Sequence, residues 1–507
     1  MQWKIAAVAG AAFVLRVWNL DAIPHAGDES AYLRWAEIIV HQKQWFISLL
    51  DGKQPLTYWL YALVLVLSPD DPLTPARWLS GLAGTATAAG IYAIARRLAG
   101  EAAGLIAGGL YAFLPYALLY DRLAYSEAFV NLAGVAVVYT SLLCFADGDA
   151  GGKPAVWLGL ALGLGFFIKS TAVLFWFFPL LAALWLRGPK PLPRLALAYS
   201  VALVFPLFSW AMVPRAPMME SHNIIVHQTS FFVDPREFVR HPFLVAPQNF
   251  RLVGEYMAAY FTIALVLTAL AALGYLVYRR ATPALLVISV SVLPLLVQIF
   301  LLQKMFPTRY PFPHVWPWLV VIGMAAAALP KHRAVWLAAL LGVPMIVRGV
   351  GVVTDPQQYL YKEDAQTFLG SGPSAGYGLR EAAQYLRNEA RQGPITVFTD
   401  PIWGPPADAM FVYLNGREGI QVYEAWWTTI SPDHPILPPV PVELVKSQYE
   451  RVSGGMLDPR PLGRVYYVTE THYTPPAAVR RRHPNARHLI SFQKPSGRNS
   501  IDVYRLR

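Results

Sequence analysis

The chain has 507 residues, 55% of them apolar and only 14% charged, whereas soluble proteins carry about a quarter charged residues. The apolar residues lie in long runs, which excludes an ordinary soluble protein and indicates a polytopic α-helical membrane protein. The formal charge of +11 comes from scattered basic residues that form no stripe, so we expect no nucleic-acid partner. The single cysteine, Cys144, excludes an intramolecular disulfide.

Apolar runs of spanning length predict about eleven transmembrane helices. The predicted spans are residues 3–20, 76–95, 101–119, 124–145, 155–169, 171–186, 195–213, 250–278, 283–303, 311–329 and 334–350. A further apolar segment, 54–67, has only about 14 residues and is too short to span. We expect this segment to lie at the membrane interface.

The basic residues between the spans predict the orientation of the chain. If the N-terminus is cytoplasmic and 54–67 does not span, most basic clusters fall on the cytoplasmic side, as the positive-inside rule requires. These clusters include Arg96-Arg97, Arg279-Arg280 and residues 331–333. The outer loop 21–75 and residues 351–507 then face the opposite side. We therefore predict a transmembrane domain, 1–350, and a C-terminal extracytoplasmic domain, 351–507.

The composition of the C-terminal region predicts a small α/β domain, because glycine, proline and charged residues replace the long apolar runs. The predicted elements are a helix at 379–391, strands at 395–399 and 464–468, and a closing hairpin of 488–493 and 501–506. The proline-rich stretch 435–441 predicts an extended loop.

Two adjacent carboxylates, Asp28 and Glu29, follow the first apolar run directly. Carboxylates at a membrane boundary are costly unless they are paired, hydrated or functional. Asp28 is expected to be ionised at neutral pH, so it could act as a general base. Glu29 could orient Asp28, serve as the base itself or cap the following helix. Alternatively, Asp28 is a helix N-cap, and the two roles are compatible.

Three cations are candidates for binding an anion beside these carboxylates. Lys53 precedes the predicted helix at 54–67, where a phosphate would gain from free N–H groups and the helix dipole. Arg309 offers a planar guanidinium at the mouth of a later span. Lys169 lies between two apolar segments, where an ionisable side chain is a functional candidate. Spacing alone does not bring these residues together, and snorkelling to lipid headgroups is the alternative.

Several aromatic and polar residues near span ends have two interpretations each. Tyr32, Tyr58 and Trp59 fit either interfacial anchors or stacking contacts to a sugar. Arg122 could form an ion pair with Asp121 or contact a substrate. The histidines show no metal-ligand spacing, so we predict no required cofactor and leave open whether a divalent cation assists.

Six short motifs occur in an order that resembles the GT-C superfamily glycosyltransferases. The resemblance is to the bacterial relatives of the dolichyl-phosphate-mannose protein mannosyltransferases and of the lipid A aminoarabinose transferase. The motifs are Asp28-Glu29-Ser30-Ala31-Tyr32, the Lys53–Trp59 stretch, Arg77–Gly84, Ala95–Gly100, Gly163–Lys169 and Arg309-Tyr310. The sequence departs from the family pattern at Gln54, where the family usually has proline, and at Ile168, where it often has threonine.

The resemblance implies an enzyme of the bacterial inner (plasma) membrane that moves a hexosyl or pentosyl group from a polyprenyl-phosphate donor to an acceptor hydroxyl. It implies that Asp28 is the general base and that Lys53, Arg309 and Lys169 hold the departing phosphate. We expect substrate contacts from Tyr32, Tyr58, Trp59, Tyr310 and Arg122. A single displacement would invert the anomeric carbon, and the acceptor could be a lipid, a glycan or a protein.

Two other functions are compatible with a polytopic chain of this composition. A transporter or lipid flippase should carry its charges at mid-bilayer on paired repeats, which the sequence does not show. A non-catalytic assembly subunit that binds the lipid carrier would gain nothing from Asp28 and Glu29, because carboxylates repel a phosphate. The sequence therefore favours the enzyme.

Overall fold

The structure is a computed structural model that describes residues 2–68, 70–145, 152–187, 192–215, 231–303, 305–400, 404–425, 461–495 and 497–506. The predicted extended loop at 435–441 lies outside these ranges. The rest of the chain forms a mainly helical body followed by a mixed sheet with helices of its own.

The helical body contains helices that differ widely in length and apolar content. They are α1 (Gln2–Val17), α2 (Gly27–Gln42), α3 (Leu56–Leu67), α4 (Leu73–Ala99), α5 (Glu101–Phe113), α6 (Pro115–Tyr120), α7 (Glu127–Phe145), α8 (Lys153–Ile168), α9 (Phe177–Arg187), α10 (Leu192–Met212), α11 (Pro235–Arg240), α12 (Ala246–Tyr256), α13 (Ile263–Tyr278), α14 (Thr282–Leu301), α15 (Trp316–Ala327), α16 (Lys331–Thr354), α17 (Pro356–Tyr359) and α18 (Lys362–Leu369).

By length and composition, five helices in the described part of the chain can cross a membrane: α4, α7, α10, α14 and α16. The short apolar helices include α3, α5, α8 and α15. The predicted break at Lys169 is confirmed, because α8 ends at Ile168 and a 3-10 turn occupies Ser170–Phe175. The total of about eleven spans stays a prediction.

The predicted span at 250–278 is not one straight helix, because the chain bends by 104° between α12 and α13, and whether the bent pair makes one span stays a prediction. A π-helical turn, Met257–Phe261, and Thr262 with a φ of 62° form the bend. The Thr262 hydroxyl accepts from the Leu265 N–H at 3.3 Å. Arg348 donates to the carbonyl of Ala259 at 2.7 Å, so this arginine satisfies a backbone group in the bent region.

A buried ion pair ties α1 to the chain segment that follows α6. Arg16 Nε donates to Asp121 Oδ2 at 2.9 Å, and both side chains are fully buried. The Tyr111 hydroxyl donates to the same oxygen at 3.0 Å. Arg16 also donates to the carbonyls of Tyr111 and Ala112 at 3.3 Å. It thereby adds a donor to two backbone carbonyls in the last turn of α5, where intrahelical partners run out.

Two short strands, β1 (His25–Ala26) and β2 (Ala375–Gly376), pair with each other. A separate C-terminal sheet is formed by β3 (Ile395–Thr399), β4 (Ile420–Glu424), β5 (Arg464–Glu470), β6 (Arg487–Gln493) and β7 (Ser500–Arg505). The order of the strands in this sheet is β4-β3-β5-β7-β6. β3 pairs in parallel with β4 and β5, and the remaining pairs are antiparallel. Helices α19 (Leu379–Ala390), α20 (Ala407–Leu414) and α21 (Pro476–Arg482) accompany the sheet.

The predicted strands at 395–399 and 464–468, the helix at 379–391 and the closing hairpin are confirmed. Strand β4 and helix α20 were not predicted. The domain boundary at 350 and the side of the membrane on which the sheet lies stay predictions.

The sheet region is docked on segment 21–75, the predicted outer loop. β1 pairs with β2, and the Gly27 N–H donates to the Ser374 carbonyl at 2.9 Å. Arg380 forms ion pairs with Asp21 at 2.9 Å and Asp71 at 3.3 Å. The docking therefore fixes the backbone immediately before Asp28.

We predict that Gly84→Ala destabilises the protein through the buried ion pair. A Cβ atom at Gly84 would lie 2.4 Å from the Asp121 carboxylate and 2.6 Å from Arg16 Nε. Overpacking of this kind costs roughly 1–3 kcal/mol, which thermal unfolding in detergent would measure. Gly109→Ala is the matched control, because nothing lies within 4 Å of its Cβ position. Equal melting temperatures for the two variants would contradict the prediction.

Candidate active site

Asp28 lies in the first turn of α2, and its side chain is 42% exposed. The alternative prediction that Asp28 caps this helix is wrong. The N-cap residue is Ala26, whose N–H donates to Glu29 Oε2 at 2.9 Å. Because Glu29 satisfies the helix start, the Asp28 carboxylate is free for other contacts.

Arg309 is the direct partner of Asp28, with its Nη1 donating to Asp28 Oδ2. The arginine side chain is only 19% exposed. Burial raises the pKa of Asp28, but the positive charges of Arg309, Lys53 and Lys169 outweigh it and hold that pKa below its ordinary value. Asp28 is therefore ionised at neutral pH, and the predicted base and the predicted phosphate clamp lie in contact.

Glu127 lies between Lys169 and Arg309, and it was not among the residues predicted from the sequence. Lys169 Nζ lies 2.6 Å from Glu127 Oε1, and Arg309 Nε lies 3.9 Å from the same oxygen. Glu127 is 1% exposed, and within the described ranges its Oε2 has no hydrogen-bond partner. The sequence did contain a signal for Glu127, because it is a single carboxylate near the start of the apolar run 124–145. Lys169 is likewise a single charged residue at the end of the apolar run 155–169.

Lys53 lies just before α3. Its Nζ is 2.6 Å from Asp51 Oδ2 and lies over the rings of Tyr32 and Trp35, at 5.2 and 4.9 Å from their centroids. The side chain is 37% exposed. The predicted helix start is confirmed, because Pro55 is the N-cap residue of α3. Lys53 therefore adds an accessible cation close to a helix N-terminus.

Aromatic rings pack against the charged groups of the site. Tyr32 stacks on Trp35 at 5.7 Å and meets Tyr58 edge-on at 5.3 Å. Arg309 lies over Tyr125 and Tyr310, at 5.4 and 5.8 Å from the ring centroids. The predicted residues Tyr32, Tyr58 and Tyr310 are thus brought together with the charged groups.

Two predicted contact residues are bonded elsewhere. Trp59 donates to the Trp45 carbonyl at 2.6 Å and packs edge-on against Phe167. Arg122 is 3% exposed and donates to the carbonyls of Trp18 and Asn19 at 2.8 and 2.7 Å. The alternative of an Asp121–Arg122 ion pair is wrong, because Asp121 pairs with Arg16.

Glu29 is completely buried, and both of its oxygens are occupied. Arg77 donates to Oε1 at 2.8 Å and to Oε2 at 2.5 Å, and the Ala124 N–H donates to Oε1 at 2.6 Å. Burial raises the pKa of Glu29, but Arg77 outweighs burial and keeps it below the ordinary value. Of the predicted roles, the helix-capping one is confirmed, because Glu29 Oε2 accepts from the Ala26 N–H at the start of α2. Glu29 also joins α2 to α4 and to the turn before α7.

A cavity of about 220 Å³ lies beside the loop that carries Lys53. Its lining residues are Leu49, Gly52, Gln54, Phe166, Pro206, Ser209, Trp210 and Val213. Most of these side chains are apolar, and the Ser209 hydroxyl satisfies Gln54 Oε1 at 2.7 Å. Gln54, a departure from the family pattern, therefore bridges the start of α3 to the end of α10. No group of three or more potential metal ligands occurs within the described residues.

Comparison with known proteins supports the predicted resemblance through one family model over part of the chain and through the overall fold. Residues 52–210 match the family model described as dolichyl-phosphate-mannose-protein mannosyltransferase. ArnT from Cupriavidus metallidurans bound to undecaprenyl phosphate has a TM-score of 0.62 at 14% identity, over 99% of this chain and 97% of that chain.

Two further structures agree. ArnT from Cupriavidus metallidurans in the apo state has a TM-score of 0.59 at 15% identity, over 100% of this chain and 97% of that chain. The archaeal oligosaccharyltransferase AglB from Archaeoglobus fulgidus, in complex with an inhibitory peptide and a dolichol-phosphate, has a TM-score of 0.50 at 11% identity, over 99% and 74%. A comparison with curated protein sequences gives no match.

We predict that Glu29→Gln destabilises the protein strongly, because it leaves the Arg77 guanidinium buried without a counter-charge. Breaking a buried pair in this way costs roughly 3–5 kcal/mol. The control Asp21→Asn removes an exposed partner of Arg380 and should cost at most about 1 kcal/mol. Thermal unfolding in detergent would rank the two variants.

The stabilisation by Glu29 should also depend on pH. Because the pKa of Glu29 in the folded protein lies below the ordinary pKa of a glutamate, Glu29 contributes its full stabilisation at pH values above that ordinary pKa. It is lost as the pH falls through the folded pKa. A melting temperature of Glu29→Gln at neutral pH equal to that of the wild type would contradict this account.

Proposed function

We propose that the chain is a glycosyltransferase of the bacterial inner membrane that transfers a sugar from a polyprenyl-phosphate donor to an acceptor hydroxyl on the extracytoplasmic face. One observation carries the proposal: an ionised, partly exposed carboxylate, Asp28, lies in direct contact with Arg309 and in the field of Lys53 and Lys169. A base for the acceptor and cations for the leaving phosphate are thus supplied at one place.

The proposed reaction is a single displacement. Asp28 accepts the proton of the acceptor hydroxyl, and the oxygen attacks the anomeric carbon from the side opposite the phosphate. The bond between that carbon and the phosphate oxygen breaks, and its electron pair stays on the departing polyprenyl phosphate. The configuration at the anomeric carbon is inverted. Charge develops on the phosphate, so cations fixed in advance lower the barrier.

Arg309 links the two halves of this mechanism. Its guanidinium bonds to Asp28. A phosphate offers at least two anionic oxygens and competes for the same fork of donors. When Arg309 turns to the phosphate, Asp28 loses its strongest partner and becomes available as a base. The buried Arg309 Nε, which has no hydrogen-bond partner in the described chain, adds a donor for this exchange.

Glu127 is proposed to hold the cations at the phosphate side of the site. It is bonded to Lys169 and lies near Arg309. Its carboxylate attracts both cations, and the direct contact with Lys169 fixes the position of that ammonium group. Glu127 thereby positions Lys169 for the phosphate.

The surroundings of the charges suit a lipid-linked donor. Lys53 is flanked by Gly52 and Gln54, which line the apolar cavity beside it, so a phosphate at Lys53 would place the first isoprene units near that cavity. Two structures of this fold, ArnT and AglB, are in complex with undecaprenyl phosphate and dolichol-phosphate. The charged groups lie at or near helix starts and ends, not within helices, which favours an enzyme over a flippase.

We predict that Asp28→Asn lowers turnover by roughly 10²–10⁴-fold, the usual contribution of a general base, with the fold retained. The measurement is transfer of labelled sugar, or slow donor hydrolysis, from a panel of polyprenyl-phosphate sugars by purified protein in nanodiscs with membrane-extract acceptors. Asp21→Asn, in the same outer loop but paired with Arg380, should keep wild-type turnover. If Asp28→Asn turns over a donor at the wild-type rate, the base assignment fails.

We predict that Lys53→Met weakens binding of polyprenyl phosphate by about tenfold, because one charge-assisted contact is lost. Lys43→Met is the control, since Lys43 is exposed at the end of α2 and its Nζ donates to the Val40 carbonyl. Equilibrium binding in nanodiscs would compare the two variants. A loss of equal size in both would mean that Lys53 acts only through the net charge of the surface.

A further inference from the structure

We infer that Asp364 is a positioning residue that holds Arg309 in reach of Asp28 and of the donor phosphate. The inference rests on the proposed function, because it concerns the same site. Asp364 lies in α18, which follows the last long apolar helix in the chain. It belongs to none of the sequence motifs.

Asp364 binds the residue directly before Arg309. Its Oδ1 accepts from the Thr308 hydroxyl at 2.6 Å and from the Tyr120 hydroxyl at 3.1 Å, and its Oδ2 accepts from the Tyr260 hydroxyl at 2.5 Å. Asp364 is 5% exposed and Thr308 is 3% exposed. Three hydroxyl donors from three parts of the chain therefore meet at one carboxylate.

The neighbouring backbone is held by further tyrosines. The Tyr116 hydroxyl donates to the Thr308 carbonyl, and the Tyr256 hydroxyl donates to the Phe306 carbonyl at 2.7 Å. Tyr260 lies in the π-helical turn and accepts from the Tyr361 N–H at 3.1 Å. Segment 306–309 is thus fixed by α6, by the bend between α12 and α13, and by α18. Tyr260 belongs to this bend, which the sequence did not predict.

Charge pairing does not explain the position of Asp364. Among the described residues, no lysine, arginine or histidine forms an ion pair with it. Burial raises the pKa of Asp364, and the hydroxyl donors offset this only in part. Its contribution is therefore geometric: it accepts hydrogen bonds that orient Thr308. A displacement of about 1 Å in a positioning group can cost roughly 10²-fold in rate.

The main test compares Asp364→Ala with Asp400→Ala. Asp400 is a matched carboxylate in the C-terminal sheet, 1% exposed and hydrogen-bonded by Tyr467, Thr469 and Thr474. Both variants should lose thermal stability. Only Asp364→Ala should lower turnover, by roughly 10²-fold.

The pH–rate profile separates positioning from a general loss of structure. Asp28 is faced by Arg309, Lys53 and Lys169. Displacement of Arg309 removes one of three positive charges, so the pKa of Asp28 rises and the acid limb moves to higher pH in Asp364→Ala. The limb should not move in Asp400→Ala.

A second pair of variants tests whether Asp364 acts through its hydrogen bond with Thr308, without leaving a cavity at residue 364. Thr308→Val removes the hydroxyl and keeps the shape, so it should move the acid limb as Asp364→Ala does. Thr308→Ser keeps the hydroxyl and should behave like the wild type. The double variant of Asp364→Ala and Thr308→Val should lose little more than either single one.

Two readouts do not depend on turnover. Hydrogen exchange of the peptide covering 305–312 should rise in Asp364→Ala and Thr308→Val but not in Asp400→Ala, and binding of polyprenyl phosphate should weaken in the same two variants. If the wild type turns over no donor but these two results hold, the proposed function fails and the positioning role stands. If Asp364→Ala matches Asp400→Ala in exchange, phosphate binding and acid limb, the inference is overturned.

Discussion

The contact between Asp28 and Arg309 is the interaction on which the account of this protein depends. Asp28 is the proposed base, and Arg309 is a proposed ligand of the donor phosphate. Here they bond to each other. Asp28 is 42% exposed and Arg309 is 19% exposed, and the guanidinium helps to hold the pKa of the carboxyl below its ordinary value. In the proposed mechanism, the donor phosphate engages Arg309 and thereby releases the base.

Buried polar contacts around this pair fix each partner from a different side. Glu29 and Arg77 set the start of α2 and hence the backbone of Asp28. Asp364 holds the residue before Arg309, and Glu127 holds Lys169. These carboxylates come from positions far apart in the chain, so the site exists only once the helices have packed. Both carboxylate oxygens of Glu29 and of Asp364 have hydrogen-bond donors. Buried carboxylates bonded in this way hold the backbone around them, and a preorganised site requires such support.

The sequence predicted the parts of this arrangement that leave a local trace. Asp28 and Lys53 stand out because charge is rare beside apolar runs, and the helix and strands of the C-terminal region follow their periodicity. Hydropathy could not reveal the bend at Met257–Phe261, because a bent helix is as apolar as a straight one. Glu127 resembled an ordinary acidic first turn. Asp364 leaves no trace, since its partners meet it only through tertiary packing.

The most direct test of the central claim is the dissociation constant of polyprenyl phosphate for the wild type and for Asp28→Asn at neutral pH. If phosphate and Asp28 compete for Arg309, the variant binds more tightly, by roughly tenfold, the value of one charge-assisted hydrogen bond. Equal or weaker binding by Asp28→Asn would contradict the exchange of Arg309 between base and phosphate.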